Sequence, residues 1–487
     1  MLKKIIIAIG TGYALKIVQT LCGLVTVPIL IGDKGLGLAG YGQLAVILSL
    51  SALMSMLFDG FRLSASKFIG KNKANLYEQV CKALQIFLLL TLLMASFIIL
   101  LSRPLLLLFG LDNQPAVIIY CIAVYFIFEQ LLYVAEQYYH AQLKTFVVNV
   151  LNAIEIICRL IFIINIFNGY GGTNLCYLLI LLGTHVAKFF LYFMLIFYLN
   201  SKKYVYFLRI EEIKIFIKES IPLSLRGIAN FLVFRMSIVY ANNVLSAEAA
   251  AVFSIIFVTL RGYINQIFVN VIRPMVIPVT SGMNFLNMNN DKIFKYNIII
   301  SFYEFLIISA IAVIACFSPL WLPYWLGDSF KQYQGVCALA VGVMSAEAAF
   351  SLKSLILVSQ GFGGKVARYS IFACMLYLLL LYFFKCLNTV FLHWIIMAII
   401  FYILLYNGFS ISYLFNKLYR CQWRSFLMIL FVTIILSVNY VLFSVEEKAF
   451  AILLTTLSSS ALILLGLTSI AWSFLRYVPA TFGKLVK

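Results

Sequence analysis

Long apolar runs recur along the whole chain, separated by short polar segments. Each run is long enough for an α-helix to cross ~30 Å of hydrocarbon. About fourteen can be drawn. The first half holds Ile5–Ile31, Tyr41–Phe61, Cys81–Phe109, Pro115–Tyr139, Phe146–Phe167, Leu175–Leu199 and Ile215–Asn242. The second half holds Ala249–Val279, Ile293–Leu322, Tyr333–Ser359, Val366–Cys386, Phe391–Phe415, Ser425–Phe443 and Ala449–Phe474. The pattern predicts an all-α, polytopic integral membrane protein. The N-terminal stretch opens with Lys3 and Lys4 and then a run too long for a signal peptide, so it reads as an uncleaved first span.

The polar segments between the runs alternate in charge. With the N-terminus inside, the cytoplasmic segments carry about 23 Lys and Arg residues and the opposite side about 5, as the positive-inside rule requires. Arg62 counts among the inner-loop cations. Both termini are therefore expected in the cytoplasm. No loop is long enough for a folded soluble domain. The longest, Asn200–Ser220, alternates apolar and charged residues like a helix lying on the inner membrane face. It divides the first twelve spans, giving a six-helix bundle (1–199), a connector (200–214), a second six-helix bundle (215–416) and two further helices (417–487). A weak internal repeat at an offset near 210 residues places Lys16 on Arg226. Internal repeats of this kind put a transport site between repeated halves.

Composition agrees with the pattern. Of 487 residues, 64% are hydrophobic and only 11% charged, against ~25% charged in soluble domains. The formal net charge of +19 would point a soluble protein towards nucleic acid. Here much of it lies in short loops, where it sets topology. The ten cysteines are scattered, and no CxxC pair occurs. The three histidines, His140, His185 and His393, are far apart. Neither a metal site nor a disulfide framework is predicted, and no cofactor. P-loop, G-x-S-x-G and H-E-x-x-H motifs are absent, so no enzyme chemistry is predicted from them.

Charges inside the spans carry the functional signal. The cations are Lys16, Arg159, Lys188, Arg226, Arg235, Arg261, Arg273 and Lys353. The acids are Asp59, Glu129, Glu136, Glu155, Glu304 and Glu347. Each costs ~2.5–3.5 kcal/mol or more at the centre of a lone helix, so they face protein or a wet cavity. Asp59 and Arg273 lie near inner span ends and can snorkel. Arg226 is shallow, whereas Arg235 and Arg261 are deeper. Arg226 and Arg235 are about 180° apart around a straight helix and about 13.5 Å apart along it, so they serve different faces. Lys16, Lys188, Arg226, Arg235, Arg261 and Lys353 form the candidate cationic set for binding an anionic substrate. Glu347 and Lys353, six residues apart, fall on opposite faces, which makes Lys353 a separate cation. Glu129, Tyr133, Glu136 and His140 share one face of span four. Two carboxylates on a low-dielectric wall suit proton binding and release. Pairing with Lys16, Arg159 or Lys188 explains them as well, and both readings stay open. Glu155 and Arg159, spaced i, i+4, suit a structural ion pair. His185 and Lys188 share a face of span six.

The first hairpin contains Pro28 near the end of span one, Gly40-Tyr41-Gly42 at the entry to span two and "FDGFRLSASKFI" at its inner end. It resembles the polysaccharide-transport branch of the multidrug/oligosaccharidyl-lipid/polysaccharide exporter superfamily, and within it the Wzx-type O-antigen flippases. The resemblance implies translocation of an undecaprenyl-pyrophosphate-linked oligosaccharide across the bacterial inner membrane. It also implies alternating access of two bundles around a cationic cavity, with proton antiport, and a polysaccharide polymerase and chain-length regulator as partners. The competing readings are a lipid II flippase, a drug or metabolite exporter of the same superfamily, and a membrane enzyme such as an O-antigen polymerase. The short, cation-poor outer loops disfavour the last.

Overall fold

A computed structural model describes residues 2–71, 75–142, 144–199, 210–271, 290–386 and 392–419. Among the described residues every regular element is helical. This follows from the solvent. Hydrocarbon offers backbone N–H and C=O groups no partner, and a helix satisfies them within one segment. Nine helical stretches among the described residues are long and apolar enough to cross a membrane. Two of the expected spans, Ser425–Phe443 and Ala449–Phe474, lie outside the described residues.

The chain runs through α1 (Leu2–Ile31), α2 (Gly37–Leu57), α3 (Asp59–Lys71), α4 (Leu76–Leu100), α5 (Ser102–Leu108), α6 (Val117–Ala141), α7 (Thr145–Tyr170) and α8 (Asn174–Leu199). It continues with α9 (Ile210–Asn230), α10 (Met236–Val244), α11 (Ala247–Ser254) and α12 (Arg261–Phe268). Then come α13 (Asn290–Cys316), α14 (Ser318–Leu326), α15 (Gln334–Leu357), α16 (Gly363–Cys386), α17 (Leu392–Ile403) and α18 (Ser412–Tyr419). Turns of π-helix join α9 to α10 (Phe231–Arg235), α11 to α12 (Ile255–Leu260) and α17 to α18 (Leu404–Ile411). Another, Val358–Phe362, links α15 to α16, and there Gly361 takes φ 88°, a left-handed conformation in which a side chain is strained. That glycine separates the expected spans Tyr333–Ser359 and Val366–Cys386. Ser246 caps α11, its Oγ accepting from the Ala249 N–H at 3.1 Å.

The described helices fall into two compact units. One comprises residues 2–258 and 370–395, the other 259–369 and 396–419. In the first, α1 packs on α7, α6 lies against α4 and α8, and α3 lies against α6 and α9. The α3–α9 contact is close. A Cβ at Gly60 would overlap the Ser220 carbonyl, and one at Gly227 would overlap the Met56 carbonyl. Beside that crossing, Phe216 of α9 inserts among Phe61, Phe68 and Phe87, with ring centroids 6.1, 6.3 and 6.1 Å away. This aromatic wedge fixes α3, whose other face carries part of the polar clusters described below. In the second unit, α15 packs on α13 and on the Leu404–Ile411 turn. Nearly every α15 side chain from Val336 to Ala349 is buried. Large apolar side chains such as Leu100, Leu107, Met194 and Leu379 are exposed, as lipid-facing residues are.

Candidate functional site

The first unit gathers most of its acids into two neighbouring clusters along α6, with partners on α2 and α3 at one end and on α7 and α8 further along. The face of α6 anticipated from its spacing supplies the acids. At one end, Glu129 accepts from Arg62 Nη2 at 3.0 Å and from Ser55 Oγ at 2.6 Å. Arg62 Nε donates to Gln130 Oε1 at 2.9 Å, and its guanidinium lies 5.3 Å from the Tyr133 ring centroid. Asp59 is 3.9 Å from Arg62. Ser66, one turn further along α3, bonds Tyr133 Oη (2.9 Å) and Gln137 Oε1 (3.1 Å).

Further along α6 the partners change. Glu136 lies 3.4 Å from Lys188 Nζ on α8. The same ammonium donates to Asn152 Oδ1 at 2.6 Å and Glu155 Oε2 at 3.1 Å on α7. Three acceptors thus meet its three protons. Glu155 Oε1 also bonds Arg159 Nη2, and His185 Nδ1 is 3.1 Å away. Glu155 is therefore held by two cations, with the His185 imidazole, which also meets the Leu181 carbonyl at 3.1 Å, beside them. Lys16 donates to Gln19 Oε1 at 2.8 Å and sits within the electrostatic reach of Glu136 and Lys188. It makes no ion pair among the described residues.

Among the described residues the second unit holds two buried or half-buried acid–base pairs. Arg261 grips Glu347 with a bidentate fork, Nε to Oε2 at 2.6 Å and Nη2 to Oε1 at 2.5 Å. Lys353 meets Glu304 at 2.8 Å, with the two side chains 1% and 0% exposed. The Phe350 and Phe415 rings flank that ammonium at 4.8 and 5.7 Å.

The structure thus brings Lys188, Glu136, Glu155 and Arg159 into one bonded cluster, with Lys16 and the Glu129–Arg62 pair within its electrostatic reach. Arg261 and Lys353 lie in the other unit, each against its own acid. Arg235 ends the Phe231–Arg235 π-turn and is partly buried. Arg226 falls on α9, and its side chain lies outside the described residues. Sequence reasoning missed Arg62, which it placed in an inner loop. The available signal is the spacing Asp59, Arg62, Ser66, a polar face that continues past the apolar run.

No family model matches the chain, and no curated protein does. Solved structures do. The chain is similar to the lipid II flippase MurJ in an inward closed conformation, at 14% identity and TM-score 0.64, over 96% of this chain and 99% of that one. It is also similar to an inward-facing multidrug-resistance MATE transporter of the MOP superfamily, at 14% identity and TM-score 0.61, over 83% and 96%. A third is the MATE multidrug transporter DinF-BH, at 14% identity and TM-score 0.62, over 86% and 97%. The fold is the one that these MATE and MurJ structures share. The chain is a multi-pass membrane protein, and these neighbours are transporters and a flippase rather than enzymes.

Proposed function

We propose that the chain is a flippase for an undecaprenyl-pyrophosphate-linked oligosaccharide of the O-antigen repeat-unit class. It would act by alternating access in a bacterial inner membrane, with both termini cytoplasmic. One observation carries the anionic part of this reading. Each acid singled out inside the spans, Asp59, Glu129, Glu136, Glu155, Glu304 and Glu347, already meets a cation. Among the described residues Lys16 does not meet a carboxylate, and it lies beside a network whose other ammonium is saturated. The formal charges of the named groups balance, Asp59, Glu129, Glu136 and Glu155 against Lys16, Arg62, Arg159 and Lys188, but the Lys16 ammonium is the one whose donors are not committed to a carboxylate among the described residues. A pyrophosphate head group satisfies it, whereas a cationic drug would need an unpaired acid. In this reading Glu129 and Glu136 are the candidates for proton coupling, and a polymerase with a chain-length regulator consumes the product. The coverage of MurJ over almost its full length favours lipid II as the second reading. Both share the undecaprenyl pyrophosphate and differ in the sugars.

The test is reconstitution in liposomes with three fluorescent substrates: undecaprenyl-pyrophosphate-linked O-antigen unit, lipid II and a cationic dye. Translocation of the O-antigen lipid, lost in Lys16→Met, is the expected result. Movement of lipid II alone would assign the second reading. Movement of the dye alone would sink both.

A further inference from the structure

The two ion pairs of the second unit differ in one respect. Lys353–Glu304 is sealed, at 1% and 0% exposure. Arg261–Glu347 is open, at 18% for each side chain. Glu347 interrupts the otherwise buried α15 run from Val336 to Ala349. A charged pair that breaks the surface of a membrane-spanning unit faces water, because hydrocarbon contact would carry the cost of an intramembrane ion. A solute in that water reaches the pair from its exposed side.

The bonding is also of a special kind. A planar guanidinium holding a carboxylate by two parallel N–H···O bonds uses the same two donors that it would present to a phosphate. Arg261 follows directly on the Ile255–Leu260 π-turn, a local departure from regular helix of the sort that accompanies functional positions. Glu347 extends from a helix whose other side chains from Val336 to Ala349 are buried. The arginine is therefore at a break in its helix and the carboxylate is on a packed support.

The geometry points to Glu347 as a built-in competitor for the substrate's phosphate at Arg261. It occupies the guanidinium fork until a phosphate or pyrophosphate group displaces it. The carboxylate keeps the cation satisfied when the site is empty. It also sets a threshold that only an anion able to take both donors passes, which makes Glu347 a specificity-determining residue. Monodentate or weakly charged ligands do not displace it. This inference rests on the proposed pyrophosphate-lipid substrate.

The test measures binding of undecaprenyl pyrophosphate, without sugars, to the full-length protein in detergent, with undecaprenol as control. Glu347→Gln should bind about tenfold tighter than wild type, because one charge-assisted competitor is removed. Arg261→Gln should bind more weakly. The decisive comparison is Glu347→Gln placed in the Arg261→Gln background. Competition at Arg261 predicts that the gain vanishes there, whereas a general effect of removing a negative charge would persist and overturn the inference. Glu347→Asp keeps the charge but shortens the reach, and should give an intermediate gain if the glutamine variant fails to fold. Binding by wild type without a gain in either Glu347 variant overturns this inference alone. No binding by wild type or variants overturns it together with the substrate reading.

Discussion

The two units hold their intramembrane charges in different ways. In the first, ions are shared. The Lys188 ammonium serves Asn152, Glu155 and Glu136 on two neighbouring helices, while Glu155 also takes Arg159, with His185 beside it. In the second, the ion pairs among the described residues are local, Lys353 with Glu304 and Arg261 with Glu347. A shared network can exchange one bond for another without leaving a charge bare. A one-to-one pair in a dry interior cannot. The first arrangement suits helices that must shift against one another, and the sealed pair is a fastener.

The sharpest way to break this comparison is to remove half of the fastener. Glu304→Ala strands the Lys353 ammonium between the Phe350 and Phe415 rings with no acid. Leaving a buried charge uncompensated costs about 3–5 kcal/mol. The expected outcome is a large drop in thermal midpoint and in the yield of monodisperse protein. The double variant Lys353→Met/Glu304→Leu should recover most of it, since an apolar pair of similar size removes the bare charge. If Glu304→Ala is as stable as wild type, the pair is not a fastener.

The corresponding change in the network should be milder. Lys188→Met leaves Glu155 held by Arg159, with His185 beside it, and deprives Glu136 of its ion pair. The loss of charge-assisted hydrogen bonds to Lys188 sets a cost of about 2 kcal/mol. The thermal midpoint should fall less than in Glu304→Ala, while translocation in liposomes is abolished in protein that still inserts and stays monodisperse. A variant as unstable as Glu304→Ala would show that the network is not shared in its energetics.

Much of the fold is legible in sequence because the bilayer imposes one length on every crossing segment. The apolar runs therefore mark the helices directly, and the polar face of α6 is readable from its spacing. The partners of that face are not. One helix's periodicity says which residues look the same way, not which neighbouring helix stands opposite. Thus Glu129, Tyr133, Glu136 and His140 read as one stripe, yet Glu129 and Tyr133 meet α3 while Glu136 meets α8. The six-residue separation of Glu347 and Lys353 similarly hides the Glu304 of α13 that meets Lys353. Arg62 escapes for a different reason. Hydrophobicity ends the span at Phe61, but the helix runs on from Asp59 to Lys71 and carries its polar face under α6. A net charge of +19 likewise says little about free charge at a site, because the intramembrane acids absorb most of the cations beside them.

The finest probe of sharing is Ser55. Its hydroxyl donates to Glu129 Oε2 at 2.6 Å, on the carboxylate that Arg62 holds through Oε1. Ser55→Ala removes that bond and leaves Arg62 in place. Gln130 Nε2 already lies 3.5 Å from the same oxygen and can move in to replace the lost donor. The loss should stay below about 1 kcal/mol, the net worth of one hydrogen bond, seen as a small fall in thermal midpoint. In the Arg62→Gln background the same substitution should cost more, because Glu129 then has no cation to fall back on. That non-additivity measures sharing directly. Strictly additive effects would mean that Glu129 is held by independent bonds, and the contrast between the units would reduce to a difference in the number of neighbours.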